Sequence, residues 1–242
     1  MSEARYFHGN GQPYLKPGEL AGKLIVVEGT DGVGRSSQIA DIKQWLEING
    51  HAVVTTGLTR SALVGKTIDQ AKAGHTLNTH TYCLLYVADF ADCLEHEIIP
   101  ALRAGFVVIA DRYIYTLMAR AIVRGADPQW IKSVLGFALQ PDAVFYLKIS
   151  LENLIPRVIN SDRIYEHYWL EDSAEGLDYW EAGMDLRLGE DFYDSFLEYQ
   201  RRKMVLFESM ARDYNFEVVP ASRGFNQVNR LLKQGFLRVL QP

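Results

Sequence analysis

Short runs of apolar residues alternate along this chain with stretches in which apolar residues recur at every third or fourth position. The apolar runs predict buried strands at residues 23–28, 52–56, 106–112, 143–149 and 216–220. The stretches between them predict helices at residues 36–49, 63–73, 80–103, 113–124, 129–139, 151–159, 191–214 and 226–240. Continuous apolar strands that alternate with helices are typical of a parallel sheet with helices on both faces. The chain is therefore predicted to form a five-stranded α/β doubly wound domain, in which ligands bind where the strands end.

Two segments depart from this alternation. Residues 1–22 hold several glycines and prolines and no apolar period, which predicts an N-terminal arm before a domain at residues 23–242. Residues 161–200 contain twelve acidic residues against two arginines, so this stretch carries a net charge of −10 and the rest of the chain carries +5. We expect an acidic lid or insertion at about residues 157–190, whose acids face solvent and whose aromatic rings dock it or form an interface.

Composition excludes several classes of protein. Of the 242 residues, 48% are hydrophobic and 23% are charged, which are ordinary values for a globular domain. The longest apolar runs fall well short of the roughly 20 residues that cross a bilayer, and no apolar leader is visible. Two cysteines, Cys83 and Cys93, are too few for a disulfide framework and favour a reducing, cytoplasmic location. The histidines lack metal-ligand spacing, and the absence of a basic run argues against binding to duplex nucleic acid.

A glycine-rich loop follows the first predicted strand and precedes the first helix. Its sequence, Gly29-Thr-Asp-Gly-Val-Gly-Arg-Ser-Ser37, follows the P-loop pattern G-x-x-x-x-G-K-[ST] except that Arg35 stands in place of the lysine. The glycines allow backbone N–H groups to turn toward phosphate oxygens, and the helix that follows adds its positive N-terminal end. We expect ATP to bind at Gly29, Thr30, Asp31, Gly32, Val33, Gly34, Arg35, Ser36 and Ser37, with the Ser36 hydroxyl directed to Mg²⁺.

Arg35 leaves two interpretations of this loop open. Arginine keeps the positive charge and can contact phosphate through two N–H groups, but its guanidinium is larger than the lysine ammonium and differs from it in shape. Either the loop is adapted to arginine, or ATP turnover is weak or lost.

The third predicted strand along the chain also ends in charged residues. The strand at residues 106–112 runs into Asp111-Arg112-Tyr113. By itself such a pair indicates a surface ion pair at the exit of a strand. Beside a P-loop, however, a carboxylate in this position can hold Mg²⁺ or orient an acceptor phosphate, and the adjacent guanidinium can bind a phosphate through two N–H groups. The sequence therefore predicts a metal ligand in Asp111 and a phosphate clamp in Arg112.

Together these motifs resemble the thymidylate kinase family. The resemblance rests on Glu28-Gly29-x-Asp31-Gly32-x-Gly34, on Asp111-Arg112-Tyr113 and on Gln140-Pro141-Asp142, and it covers about residues 23–225. It implies the P-loop NTPase fold of nucleoside-monophosphate kinases, a five-stranded parallel sheet with a lid. It also implies transfer of the γ-phosphoryl group of ATP to dTMP with Mg²⁺, commonly in a homodimer.

The resemblance implies roles for individual residues. Asp31 matches the family's acidic loop residue, which faces the nucleotide substrate, and Tyr86 matches the aromatic residue that stacks on the thymine ring. Arg157 lies where the lid begins. The expected catalytic residues are Arg35, Asp111, Arg112 and Arg157, and the expected metal ligands are Ser36 and Asp111. The expected substrate-binding residues are Asp31, Arg60, Tyr86, Phe90, Arg112, Tyr113 and Arg120.

Other positions depart from the family, and most of them concern recognition of the base. Phe90 stands where the family has a base-contacting arginine, and Arg120 stands where it commonly has an aromatic residue. After the second strand the family's arginine motif is absent, and the resemblance suggests Arg60 as its displaced counterpart. The expected function is ATP-dependent phosphorylation of a nucleoside monophosphate, with dTMP as the leading acceptor. The alternatives are a catalytically weak nucleotide-binding regulator and a kinase of another small phosphate ester.

Overall fold

The computed structural model of the chain describes residues 7–16, 20–74, 77–159, 179–180 and 182–241. Much of the predicted acidic lid, at residues 160–178 and 181, lies outside the described residues. Within the described residues, no helix is both long enough and apolar enough to span a bilayer.

Five parallel strands form a single sheet, which confirms the predicted fold class. The strands are β1 (Lys23–Gly29), β2 (Val53–Gly57), β3 (Val107–Asp111), β4 (Ala143–Lys148) and β5 (Glu217–Pro220). Their order across the sheet is β2-β3-β1-β4-β5, so β1 lies at the centre. The central position explains why β1 is an unbroken apolar run, because both of its faces are covered.

Helices connect these strands and cover both faces of the sheet. In chain order they are α1 (Arg35–Ile48), α2 (Gly65–Ala73), α3 (Thr79–Cys93), α4 (Ile99–Arg103), α5 (Ile114–Val123), α6 (Pro128–Val134), α7 (Leu151–Ile159), α8 (Phe192–Asp213) and α9 (Phe225–Leu240). Side chains alternate along β1, so that Leu24 and Val26 join one hydrophobic cluster while Ile25 and Val27 join the other.

Two predicted helices differ from the structure. The helix predicted at residues 80–103 contains a π-helical turn at Leu94–Ile98, between α3 and α4. Pro100 follows this turn and has no N–H to continue the hydrogen-bond ladder. The helix predicted at residues 129–139 ends as α6 at Val134, because Gly136 follows its C-cap.

The arm packs on the domain through backbone hydrogen bonds. The Gly9 and Gly11 N–H groups donate to the Gly136 carbonyl at 2.8 and 3.2 Å, and the His8 N–H donates to the Ala138 carbonyl at 2.9 Å. A Cβ on Gly9 would lie 2.8 Å from the Gly136 Cα, so glycine is needed for this close approach. The His8 ring makes T-shaped contacts with the rings of Tyr115 and Tyr214, each with 5.7 Å between ring centroids.

Docking of the arm is expected to weaken as the pH falls. Burial, with a smaller contribution from Lys132, lowers the pKa of His8 from 6.5 to about 4. The folded state holds His8 neutral, because its pKa is lower than in the unfolded chain. The contribution of neutral His8 to the free energy of unfolding is therefore complete above pH 6.5 and is lost as the pH falls from 6.5 toward 4. At about 1.4 kcal/mol per pKa unit, the loss reaches at most about 3 kcal/mol. Chemical denaturation of the wild type and of His8→Gln across this range would measure it.

His51→Gln is the matched control for that measurement. The wild type and His51→Gln are expected to lose the same stability between pH 6.5 and 4, whereas His8→Gln loses less. Equal losses in all three proteins would show that His8 does not couple the arm to pH.

Candidate active site

The ends of β1 and β3 bring the two predicted motifs to one edge of the sheet. Val27 lies opposite Asp111 in the register of the two strands, and the Arg112 N–H donates to the Val27 carbonyl at 3.1 Å. The loop after β1 and the Asp-Arg pair after β3 therefore adjoin, as the motifs require.

The glycine-rich loop contains glycines in the left-handed region of backbone conformation. Gly32 and Gly34 adopt φ angles of 78° and 93°, a region that favours glycine. At Gly32 a Cβ would lie 2.6 Å from the Val158 Cγ2 atom, so the loop also needs glycine for its packing against α7. Gly34 is the residue before α1, which places the N-terminus of that helix at the loop.

The side chain of Arg35 turns back onto the loop and the end of β3. Its Nη1 atom donates to the Gly29 carbonyl at 2.6 Å and to the Thr30 carbonyl at 3.1 Å. Its Nε atom donates to Asp111 Oδ1 at 2.5 Å, and the side chain is buried. The guanidinium therefore braces the loop against the adjacent strand end in this structure, while its contact with ATP phosphates stays a prediction.

The two predicted metal ligands lie together. The Ser36 hydroxyl donates to Asp111 Oδ2 at 3.0 Å, and Ser36 is exposed at the start of α1. A hydroxyl and a carboxylate are hard oxygen donors, and Mg²⁺ usually takes one or two protein ligands and completes its shell with phosphate oxygens and water. The pair therefore fits a Mg²⁺ ion that is shared with a nucleotide. No cluster of three or more His, Cys, Asp or Glu side chains that could hold a metal occurs within the described ranges.

Asp31 lies between two cations. Its Oδ1 atom is paired with Nη2 of Arg112, and its Oδ2 atom accepts a hydrogen bond from Nζ of Lys203 at 2.8 Å. Arg112 comes from the predicted Asp-Arg motif, but Lys203 comes from the middle of α8. The three side chains carry a net charge of +1 next to the P-loop, a suitable environment for an anionic substrate.

A buried carboxylate, Glu28, holds the backbone that follows Arg112. Arg112 has a φ angle of 73°, which is unusual for a residue other than glycine. The Glu28 carboxylate fixes the backbone that follows by accepting hydrogen bonds from the Tyr113 and Thr116 N–H groups at 2.9 and 3.2 Å, and from the Thr116 hydroxyl at 2.6 Å. Burial raises the pKa of Glu28, while the Thr116 hydroxyl and the nearby Arg35 act in the opposite direction. Glu28 of β1 thus positions the backbone that follows β3.

The predicted base-binding residues of α3, α5 and the segment between β3 and α5 are all buried. Tyr86 and Arg120 face each other across α3 and α5, with the guanidinium carbon 5.5 Å from the centre of the Tyr86 ring. Phe90 packs against the rings of Tyr113 and Phe137 in the core. The Tyr113 hydroxyl donates to the Leu139 carbonyl at 2.9 Å. The structure thus gives all four residues packing partners in the core, and their contact with a substrate stays a prediction.

In the described part of the acidic stretch, Trp180 contacts a tyrosine ring of α3. Trp180 stacks on Tyr82 with 5.4 Å between ring centroids. Arg124 fastens this contact, because it donates to both carboxylate oxygens of Asp185 at 2.9 and 3.2 Å and to the Trp180 carbonyl at 2.5 Å. Trp180 is thus one aromatic residue of the stretch that contacts the rest of the domain. The aromatic residues at positions 165, 168 and 169 lie outside the described residues.

Arg60 packs beside Gly57, the residue of β2 that lies opposite Asp111 in the sheet. Its Nη1 atom donates to the Thr55 carbonyl at 3.4 Å, and its side chain lines a surface cleft of about 450 Å³ with Asp92 and Glu97. The adjoining backbone is held by Asp89, which accepts hydrogen bonds from the Thr59 and Ser61 N–H groups at 2.7 and 2.9 Å. The acidic residues beside Phe90 thus shape the loop that differs from the family.

Arg157 ties α7 to the phosphate loop. It donates to the Val33 carbonyl at 3.0 Å and to the Ala221 carbonyl at 2.6 Å. Both partners are backbone atoms, so Arg157 contributes to the shape of the loop here. Its predicted role as a lid arginine stays a prediction.

Sequence reasoning missed two residues of this site, Lys203 and Glu28. The signal for Glu28 was available, because a glutamate at the end of a buried strand requires hydrogen-bond partners. The signal for Lys203 was weaker. It lies on the apolar face of α8, which also buries Phe196, Tyr199, Phe207 and Met210, and a lysine is unexpected there.

Comparison with known proteins yields one family. The family model described as thymidylate kinase matches residues 27–173, a range that contains the P-loop, the Asp-Arg pair and α3. The match covers more than half of the chain.

Individual relatives agree with the family match. A probable thymidylate kinase 2 from Saccharolobus solfataricus is 34% identical over 211 residues, which cover 86% of this chain and 92% of that protein. A probable thymidylate kinase from Thermococcus kodakarensis is 36% identical over 162 residues, which cover 59% of this chain and 77% of the relative. A thymidylate kinase from Brachyspira hyodysenteriae is 30% identical over 158 residues, or 63% of this chain and 78% of the relative.

Proposed function

The chain belongs to the thymidylate kinase family, and we propose that it transfers the γ-phosphoryl group of ATP to dTMP, giving dTDP and ADP. A phosphate oxygen of dTMP forms the new bond to the γ-phosphorus, and the bond from that phosphorus to the β-phosphate bridging oxygen breaks. The observation that carries the proposal is the junction of Asp31 in the P-loop with Arg112 after β3. It joins a donor loop to an acceptor clamp, and phosphoryl transfer depends mainly on such positioning.

On the donor side, residues 29–37 bind the ATP phosphates through backbone N–H groups at the N-terminus of α1. Arg35 supports this loop from within and supplies positive charge next to the transferring group. Ser36 and Asp111 hold Mg²⁺, which when bound neutralises the charge that develops on the phosphate oxygens.

On the acceptor side, Arg112 binds the dTMP phosphate and Asp31 faces the nucleoside. Tyr86 provides a flat ring for stacking, and Arg120 beside it offers N–H donors to the edge of the base. No strong general base is needed, since the acceptor phosphate is already an anion at neutral pH.

The assembly and location of the protein follow from the same proposal. We propose a homodimer, the state that the resemblance implies, and a cytoplasmic location, in keeping with Cys83 and Cys93, which are both free and buried. Light scattering at several protein concentrations would test the dimer.

Turnover with a panel of acceptors tests the proposed function. We expect ADP release to be fastest with dTMP among dTMP, dUMP, AMP, CMP and GMP, and to stop when EDTA removes Mg²⁺. Nucleotide binding without turnover, on any acceptor, would instead favour the catalytically weak regulator. A silent monophosphate panel, with turnover on another phosphate ester, would favour the third function.

A further inference from the structure

Lys203 is the one member of the cluster with Asp31 and Arg112 that belongs to no recognised motif. It lies in α8, 172 positions after Asp31 in the chain, and its Nζ atom is 2.8 Å from Asp31 Oδ2. Its side chain is only 3% exposed and lies over the Tyr199 ring, with Nζ 4.8 Å from the ring centre.

The two basic residues before Lys203 show that this burial is particular to it. Arg201 and Arg202 are 61% and 48% exposed, and both pair with Glu198 on the surface of α8. Lys203 instead occupies the buried stripe of the helix, where an apolar side chain would pack without the cost of desolvating a charge. A buried ammonium in this position needs compensation, and Asp31 provides a charged partner for it.

Asp31 divides its two carboxylate oxygens between the two cations. Oδ1 is paired with Arg112, and Oδ2 is paired with Lys203. An acceptor phosphate would compete with Asp31 for the same guanidinium. Without a second cation, the carboxylate released by Arg112 would repel the incoming phosphate at close range.

We propose that Lys203 is a positioning residue of the acceptor site, which stays paired with Asp31 while Arg112 turns from that carboxylate to the phosphate of the incoming monophosphate. Lys203 thereby keeps Asp31 neutralised and correctly oriented toward the nucleoside. This inference rests on the proposed function, because it assigns Arg112 to the acceptor.

Steady-state kinetics of Lys203→Met and Lys203→Gln test this role. In one series dTMP is varied at saturating ATP, and in the other ATP is varied at saturating dTMP. Both changes remove the charge at nearly constant length, and glutamine can still donate a hydrogen bond to Asp31. We expect both to raise the KM for dTMP by about tenfold and to leave the KM for ATP within about twofold. Arg202→Met, on the same helix but exposed, is the matched control and should change neither constant.

A double-mutant cycle tests whether Lys203 acts through Asp31. In the Asp31→Asn background, Lys203→Met should raise the KM for dTMP by less than about threefold, because the carboxylate that it neutralises is gone. Equal effects in both backgrounds would overturn the proposal. So would rescue by glutamine, since it would reduce the role of Lys203 to a hydrogen bond.

Melting temperatures separate loss of folding from loss of function, and Lys203→Gln replaces Lys203→Met if the latter does not fold. If the wild type turns over dTMP and the folded Lys203 variants have the same KM for dTMP, the role of Lys203 is overturned and the proposed function stands. Absence of wild-type turnover with every monophosphate would overturn the proposed function, and the role of Lys203 with it.

Discussion

Replacing Arg112 with alanine is expected to raise the KM for the acceptor by about tenfold to a hundredfold, because a hydrogen bond to a charged group contributes about 1.5–3 kcal/mol. The KM for ATP should stay within about threefold, since Arg112 is proposed to bind the phosphate of the acceptor and not that of ATP. Folding is expected to survive, because Asp31 keeps Lys203 as a partner. Steady-state kinetics with each substrate varied in turn would measure both constants.

The control for this prediction is Arg230→Ala, which removes an exposed arginine of α9. It should alter neither KM. If Arg112→Ala raised both constants by the same factor, Arg112 would support the scaffold or the donor side, and the acceptor clamp would have to lie elsewhere.

The fold could be predicted from the sequence because its signals are local and repeated. β1, β3 and β4 contain continuous apolar runs, and each observed strand lies within about two residues of its predicted limits. The exceptions at the helices have local signals, Pro100 after the π-helical turn and Gly136 directly beyond the C-cap of α6. Docking of the arm on the Gly136 carbonyl could not be predicted, because it joins segments that lie more than a hundred residues apart.

The site divides in the same way. The contact of Ser36 with Asp111 could be predicted, because each belongs to a short motif at a strand end and parallel strands end at a common edge. The position of Lys203 could not, because periodicity assigns a face of α8 to the core without saying which loop that face meets. The direction of the Arg35 side chain was also beyond the sequence, since it depends on the carbonyls that the folded loop turns toward it.

The second large effect is expected at Arg35, where the structure favours a loop adapted to arginine. The guanidinium uses Nη1 for the Gly29 and Thr30 carbonyls and Nε for Asp111, two donor atoms that point in different directions. A lysine ammonium is a single centre on a flexible stem and cannot span these partners. Arg35→Lys should therefore lower kcat/KM for ATP by at least about tenfold, the equivalent of one lost charge-assisted hydrogen bond.

Arg35→Ala should lower kcat/KM by about a hundredfold or more, because it removes every contact between the loop and Asp111 that the guanidinium makes. Arg230→Lys and Arg230→Ala are the matched controls, and melting temperatures would show how much of each loss comes from the loop rather than from the chemistry. A decayed lysine site would behave in the opposite manner, because restoring the lysine would return the ammonium to the phosphates and raise turnover. An increase in kcat/KM for Arg35→Lys would thus show that the bracing contacts of Arg35 compete with catalysis instead of supporting it.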